Sequence, residues 1–351
     1  MKFQRKKVLL TLFWALFLFP ASHLLCSQDQ PSISLLKKKL KRSPHNLKIR
    51  EQLAHGYFQK EQWQKARDLL APYASELSEK GLKTLALSYK MLKNYQDEIR
   101  ILEIMLARKP QSYFYHYLIG LAYYHSKKND LAVQHLRQSI EINPKHKPSY
   151  FALLKIFQQD KNSQANNYES RTLVGDMIRV FGEQPKLVSL QCQLYTEGGF
   201  LDEAKKACTK ALRVDKKEFK NYIYLASVFQ DLQKSEMSKK ILLIASKKFS
   251  NKEPILWNLG NVFFNSGDYP ASIRFFKKAL QADPQSARAL FGLAQSFYKL
   301  SNYDKALKYF VKACQKKSSY AKDFRVAGAQ LFKSGNIKWG RMFQKHYYKC
   351  N

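Results

Sequence analysis

Cysteine and histidine are the residues of this chain that could do redox or metal chemistry, and their spacing limits both. The five cysteines include no Cys-x-x-Cys pair, the spacing used by many zinc and dithiol redox sites. Four histidines cluster in the sequence, but no two of them are four residues apart on one helix face; they are His116, His125, His135 and His146. We therefore expect no metal centre and no cofactor.

The motifs of common enzyme classes are also missing from the sequence. The chain has no Gly-rich phosphate loop, no His-Glu-x-x-His metalloprotease motif and no nucleophile elbow. These absences favour a protein that binds over one that catalyses, and we expect no enzymatic activity.

A repeat of 34 residues organises most of the chain. Glycines recur in one register at Gly120, Gly260 and Gly328. With the opening residue of each unit as position 1, units begin at Leu47, Glu79, Tyr113, Lys147, Pro185, Phe219, Glu253, Ala287 and Ala321. Repeats of this length are built of two short amphipathic helices that bury their apolar faces against their neighbours.

The seventh unit has the clearest pattern. Leu256, Leu259 and Phe263 form an apolar stripe on a predicted first helix. Residues 265–269 supply a turn, and a second helix then ends at Asp283-Pro284. Small residues alternate with large ones along both helices, which is what close helix packing requires.

The units resemble the tetratricopeptide repeat, whose pattern is Trp, Leu-Gly, Tyr, then Ala, Phe, Ala and Pro. The first aromatic is usually replaced here, for example by Leu256 and Leu290. The resemblance implies an all-α fold, an α-solenoid of about nine helix pairs in a right-handed superhelix. We expect residues 1–27 to be a signal peptide or N-terminal anchor, 28–46 a capping helix and 47–351 the solenoid.

The same resemblance implies a binding groove, because first helices line the concave wall of such solenoids. Positions 2, 5, 9, 12 and 13 then give the groove residues Tyr117, Tyr124, Phe151, Trp257, Asn261, Phe264, Phe291, Gln295, Tyr298 and Lys299. Aromatic rings with amides and cations suit an extended peptide, and they also suit sugar rings. We expect Trp257, Phe291 and Tyr298 to share one anchor patch; the alternative is that these rings pack against neighbouring helices.

The first 27 residues predict export. Lys2, Arg5, Lys6 and Lys7 precede an apolar run from Val8 to Phe19, which Pro20 breaks. Cleavage after Cys26 or Ser27 is one outcome. A lipidated Cys26 and an uncleaved anchor from Val8 to Leu25 are the alternatives, and each places the repeats in the periplasm or cell envelope.

The chain is strongly basic, with a net charge of +34. After residue 27 it holds 57 Lys and Arg against 27 Asp and Glu, a net charge of +30. That field favours an acidic protein or peptide, an anionic polysaccharide or a membrane surface, or it serves only solubility. Export argues against nucleic acid as the partner.

Cys192 and Cys208 are the cysteines whose spacing permits a disulfide. They fall on the two antiparallel helices of the fifth unit, on either side of a turn at Gly198-Gly199. The alternative is two small side chains buried in a helix pair. Together these patterns predict a scaffold that binds a protein segment during envelope or secretion-apparatus assembly; the alternative is a module that binds an anionic polysaccharide during export.

Overall fold

The described part of the chain, residues 32–159, 163–249 and 252–350 of a computed structural model, consists of α-helices and short 3₁₀ turns without strands. A single helix, α1 (Ile33–Arg42), precedes nine helix pairs. In order these are α2 (Leu47–Gln59), α3 (Trp63–Leu70), α4 (Glu79–Met91), α5 (Tyr95–Arg108), α6 (Tyr113–His125), α7 (Asn129–Ile142), α8 (Lys147–Phe157), α9 (Gln164–Phe181), α10 (Pro185–Glu197), α11 (Leu201–Val214), α12 (Phe219–Asp231), α13 (Ser235–Lys248), α14 (Glu253–Asn265), α15 (Tyr269–Ala282), α16 (Ala287–Lys299), α17 (Tyr303–Lys316), α18 (Ala321–Lys333) and α19 (Ile337–Tyr347). The predicted all-α architecture of repeated helix pairs is confirmed.

The predicted repeat register agrees with the observed helices. Each of the nine predicted opening residues is the first residue of a first helix. Several helices begin after a side-chain cap: the Ser286 hydroxyl accepts from the Ala289 N–H at 3.2 Å, and the Asp268 carboxylate accepts from the Ala271 N–H at 3.0 Å. Such caps satisfy N–H groups that have no partner inside the helix.

The turn between the two helices has a constant backbone shape. Its position 15 has a positive φ in eight units, at Glu61, Lys93, Lys127, Gly199, Gln233, Gly267, Ser301 and Gly335. Only three of these residues are glycine, although the left-handed conformation costs a side-chain-bearing residue about 1 kcal/mol or more. Packing of the helix pair therefore sets the turn in the other five units.

The fourth unit departs from the others in its second helix. Helix α9 has 18 residues, whereas α7 and α11 have 14 each. Helix α9 is thus four residues longer than these second helices. Residues 160–162, which precede it, lie outside the described residues.

Two compact parts divide the chain, residues 1–149 and 150–351. The first part buries one continuous core under α1–α6, which includes Leu53, Leu82, Leu102 and Ile119. The second part buries several clusters, and its last three helix pairs pack around Phe276, Phe310, Phe324 and Phe343. None of the helices within the described ranges is long and apolar enough to cross a membrane.

Glycine at position 8 of the seventh unit (Gly260) and at position 6 of the eighth (Gly292) allows the helices of these units to approach each other. The ring of Phe276 on α15 lies 2.5 Å from where a Cβ on Gly260 would be, and 2.4 Å from where a Cβ on Gly292 would be. Gly120 in the third unit meets Leu136 in the same way, at 2.7 Å. A large side chain on the second helix thus fills the space left by a missing Cβ.

Candidate protein-binding groove

Two of the ten candidate groove residues are exposed. The Phe151 side chain is 50% exposed, and Lys299 at the end of α16 is exposed as well. The other candidates are half-buried: Tyr117, Tyr124, Trp257, Asn261, Phe264, Phe291, Gln295 and Tyr298. Among the ten candidates, Phe151 thus has the most exposed apolar side chain.

In the first part of the chain, Tyr117 belongs to an aromatic cluster on α6. Its ring lies 6.4 Å from Phe114 and meets His146 edge-on at 4.9 Å. Burial raises the pKa of the Tyr117 phenol and lowers that of the His146 imidazole. The Tyr124 ring lies 5.3 Å from that of its neighbour His125.

In the second part, the Trp257 ring contacts Arg288, whose half-exposed side chain pairs with the buried carboxylate of Glu253. The guanidinium of Arg288 is 4.7 Å from the centre of the Trp257 ring. Glu253 holds that guanidinium: it accepts from Arg288 Nε at 2.9 Å, from Arg288 Nη2, and from the Ser286 hydroxyl at 2.6 Å. Burial pushes the pKa of Glu253 upward, but these hydrogen bonds outweigh it and leave the pKa below its usual range. A cation is thus held over an aromatic face.

The first part has a comparable carboxylate at the same repeat position. Glu79 accepts from the Tyr115 hydroxyl at 2.7 Å and from Lys109 at 2.5 Å, and it pairs with Lys83 at 2.8 Å. The hydrogen bonds from Lys109, Lys83 and Tyr115 lower the pKa of Glu79 to about 2. Like Glu253, it opens a first helix and contacts the first helix of the next unit.

Phe291 and Tyr298 pack against elements that follow them. The Phe291 ring stacks on Tyr320 at 4.4 Å and meets Phe310 edge-on at 5.8 Å. The Tyr298 hydroxyl donates to the Ala327 carbonyl at 3.2 Å. Ring contacts among the described residues join none of Trp257, Phe291 and Tyr298 directly, so the shared anchor patch stays a prediction.

A small cavity opens between α4, α5 and α6, with Glu98 in its wall. Its volume is about 30 Å³, and the surrounding side chains include Leu87, Phe114 and Leu118, with Lys83 and Lys90. Glu98 is 5% exposed, and its Oε2 atom has no hydrogen-bond partner. Burial raises the pKa of Glu98 to about 7, although Lys90 opposes the shift. The predicted groove positions do not include Glu98, because all of them lie on first helices and Glu98 lies on α5, a second helix.

A second, wider cleft follows α11 on the outside of the fifth unit. Its volume is about 740 Å³, and it is lined mainly by charged residues: Glu183, Asp202, Lys205, Lys206, Lys210 and Arg213. Lys210 pairs with Glu183 at 2.5 Å. Four cations against two carboxylates leave this cleft positive.

Two disulfides join the buried cysteines of the second part. Cys192 and Cys208 have Cα atoms 4.6 Å apart, and Cys314 and Cys350 have Cα atoms 5.4 Å apart. The second pair was not predicted, because Cys350 lies in a 3₁₀ turn that folds back onto α17 and no sequence pattern marks that return.

Comparisons with known proteins identify the repeats. The tetratricopeptide repeat family is matched by residues 115–146 and again by residues 258–321. A curated relative, the DnaJ homolog subfamily C member 7 homolog of Dictyostelium discoideum, is 25% identical over 144 residues, which is 38% of this chain and 27% of that protein.

Two solved structures are similar at low sequence identity. MamA is 18% identical with a TM-score of 0.40, over 46% of this chain and 95% of that one. Yeast Tom70 is 12% identical with a TM-score of 0.47, over 91% of this chain and 81% of that one.

The repeated helix pairs and the two family matches define a class of helical-repeat protein whose fold serves as a protein-interaction scaffold. The chain therefore contains tetratricopeptide repeats, which are matched at residues 115–146 and 258–321.

Proposed function

We propose that this chain is a non-enzymatic scaffold of the cell envelope that holds a segment of another protein along its first helices. In that role it assists the assembly of an envelope or secretion apparatus. The observation that carries the proposal is Phe151, a half-exposed ring at a groove position. The half-buried amides of Asn261 and Gln295 lie at other groove positions, where they would serve the backbone of an extended segment.

The charge of the chain supports an acidic partner. The net charge of +30 after residue 27 favours encounter with a negatively charged segment. In the second part, the exposed Lys299 adds a cation at a groove position of α16. An acidic segment with aromatic or aliphatic anchors fits both features.

Two observations support a location outside the cytoplasm. The chain starts with a basic and then apolar segment, as a secretory signal does. The two cysteine pairs of the second part are at bonding distance, and disulfides persist in oxidising compartments. We therefore place the protein in the periplasm or attached to the envelope, with the N-terminus as the anchor if it is retained.

The cleft along α11 favours a second candidate function, the binding of an anionic polysaccharide during export. Lys205, Lys206, Lys210 and Arg213 line it together, and its volume of about 740 Å³ accommodates several sugar units. This cleft is separate from the first-helix positions, so the two functions make different predictions about which surface is occupied.

Crosslinking the exported protein in cells separates the two candidates. The captured material is split, and the peptides of one half are sequenced by mass spectrometry while the other half receives a polysaccharide-degrading enzyme. Peptides of a second protein, in an adduct that resists the polysaccharide-degrading enzyme, support the protein scaffold. An adduct that this enzyme removes and that holds no peptides of a second protein contradicts it and favours the glycan-binding function.

A further inference from the structure

The outer face of α13 exposes apolar side chains beside lysines. Met237, Leu243 and Ile244 are 44%, 38% and 54% exposed. Because an α-helix has about 3.6 residues per turn, their spacing places them together with Lys240 and Lys247 on one third of the helix circumference. We call these residues, Met237, Lys240, Leu243, Ile244 and Lys247, the α13 face.

The two lysines of the α13 face are available to an external anion. The carboxylate of α13, Glu236, pairs with Lys239 at 2.8 Å. Within the described ranges, no ion pair involves Lys240 or Lys247, and both side chains are exposed. The α13 face thus presents exposed apolar groups between uncompensated positive charges.

The second helices of the next two units are basic at the same repeat positions. Lys240, Leu243, Ile244 and Lys247 are positions 22, 25, 26 and 29 of their unit. In α15 and α17 these positions hold no carboxylate, and their cations are all exposed: Arg274, Lys277, Lys278, Lys308 and Lys312.

The first part of the chain lacks this excess of positive charge. At the same positions of α5 and α7, Arg100 and Arg137 are balanced by Glu103 and Glu141. The repeat fold therefore does not require a basic outer surface, since two of its units have a neutral one. The positive charge is a property of the second part.

The mixture of charge and apolar surface selects the occupant. A soluble polysaccharide supplies anions but no apolar layer, and a second copy of this chain brings the same positive charge. Stable protein interfaces concentrate aromatic anchors, and the α13 face has no aromatic residue. An anionic bilayer supplies both components, because phosphate headgroups lie directly above acyl chains.

We propose that the α13 face docks the second part of the chain onto a bilayer that contains anionic phospholipid. Lys240 and Lys247 contact headgroup phosphates, while Met237, Leu243 and Ile244 enter the boundary between headgroups and acyl chains. The cations of α15 and α17 add long-range attraction. This surface belongs to second helices and leaves the groove positions of the first helices unoccupied, so the inference does not depend on the proposed function.

The test places a photo-crosslinking residue at position 244 of the full-length protein. The matched control is position 138, the exposed Gln138 of α7, which has the same repeat position as Ile244. Each protein is illuminated with vesicles of phosphatidylcholine, with or without phosphatidylglycerol, and phospholipid adducts are quantified by mass spectrometry. We expect adducts from position 244 with phosphatidylglycerol, at least about tenfold more than from position 138 or with phosphatidylcholine alone.

Two pairs of substitutions separate the α13 face from net charge. Lys240→Gln combined with Lys247→Gln is expected to lower the adduct yield at position 244 about tenfold or more. Lys60→Gln combined with Lys128→Gln removes the same charge from exposed positions of the first part and should leave the yield unchanged. Thermal unfolding confirms that each variant is folded, because all four lysines are exposed.

Four outcomes overturn the proposal. The first is an equal yield of phospholipid adducts from positions 244 and 138, and the second is a yield at 244 that does not depend on phosphatidylglycerol. The third is an equal loss of yield in both lysine pairs, which would reflect net charge alone. The fourth is capture at 244 of a second copy of the chain, or of added alginate in preference to phospholipid, which would identify another occupant.

Discussion

At the scale of single residues, Glu98 couples the stability of the protein to pH. The folded state raises its pKa from 4.5 to about 7 through burial. Between these values the folded protein keeps a proton that the unfolded chain has released, so the contribution of Glu98 to the free energy of unfolding falls as pH rises and levels off above 7. Burial lowers the pKa values of His55, His116, His135 and His146, which act in the opposite direction over the same range, so the contribution of Glu98 is read from the difference between the wild-type protein and Glu98→Ala.

Several other units have alanine at the repeat position of Glu98. Replacing Glu98 by alanine is expected to remove the loss of stability that its raised pKa causes above pH 7. At pH 8 the free energy of unfolding should rise by about 2 kcal/mol, since the shift of roughly 2.5 units at 1.36 kcal/mol each is offset by lost packing. At pH 4 the variant should gain nothing. Urea unfolding followed by circular dichroism measures both. Glu76→Ala, which removes an exposed carboxylate of the same part, is the matched control. The account would be contradicted if the difference in free energy of unfolding between the wild-type protein and Glu98→Ala were the same at pH 8 as at pH 5.

Phe151 and Phe291 should separate binding from folding. Phe291 stacks between Tyr320 and Phe310, so Phe291→Ala is expected to lower the free energy of unfolding by about 3 kcal/mol. Phe151 is half exposed, so Phe151→Ala should change stability little and weaken binding of the captured partner by about 2 kcal/mol. Thermal unfolding and titration with that partner measure the two effects. An unchanged melting temperature for Phe291→Ala would show that its ring does not pack as described.

At the scale of helices, the missing Cβ atoms at position 8 set the distance between neighbours. Gly260→Ala would bring a Cβ to 2.5 Å from the Phe276 ring, which packs from the next helix. We expect the melting temperature to fall, with a cost of about 1–3 kcal/mol from overpacking.

Gly175→Ala on α9 is the control for that substitution. Nothing lies within 4 Å of the added Cβ, so the higher helix propensity of alanine should raise stability by about 0.5–1 kcal/mol. If both variants change the melting temperature in the same direction, helix propensity rather than close packing determines the effect of alanine at position 8.

The helices were predictable from the sequence because their pattern is local. Spacing of Leu, Gly and aromatic residues fixes where each helix begins, as at Glu253 and Ala287. The surroundings of a side chain depend instead on neighbouring units. Alignment of the repeat positions alone could have singled out Glu98, because the other units have small residues at its position. No count could have shown that Phe291 stacks on Tyr320.

At the scale of the whole molecule, the oxidation state of the cysteines tests whether the protein is exported to an oxidising compartment. Protein purified from the envelope should yield Cys192–Cys208 and Cys314–Cys350 peptides in non-reducing peptide mapping, because both pairs lie at bonding distance. Reduction should then lower stability, by about 3 kcal/mol for the shorter loop. The mature N-terminus, read by mass spectrometry of the same sample, should lack residues 1–27. An intact Met1 together with free thiols at all four positions would contradict export.

The central claim is that the first helices hold a protein segment. Its most direct test places a photo-crosslinking residue in cells at Phe151 or Lys299, on first helices, and at Ile244, a residue of α13 that is 54% exposed. The account predicts adducts that contain peptides of a second protein from positions 151 and 299, and none from position 244. Equal crosslinking at all three positions, or adducts from position 244 alone, would contradict it.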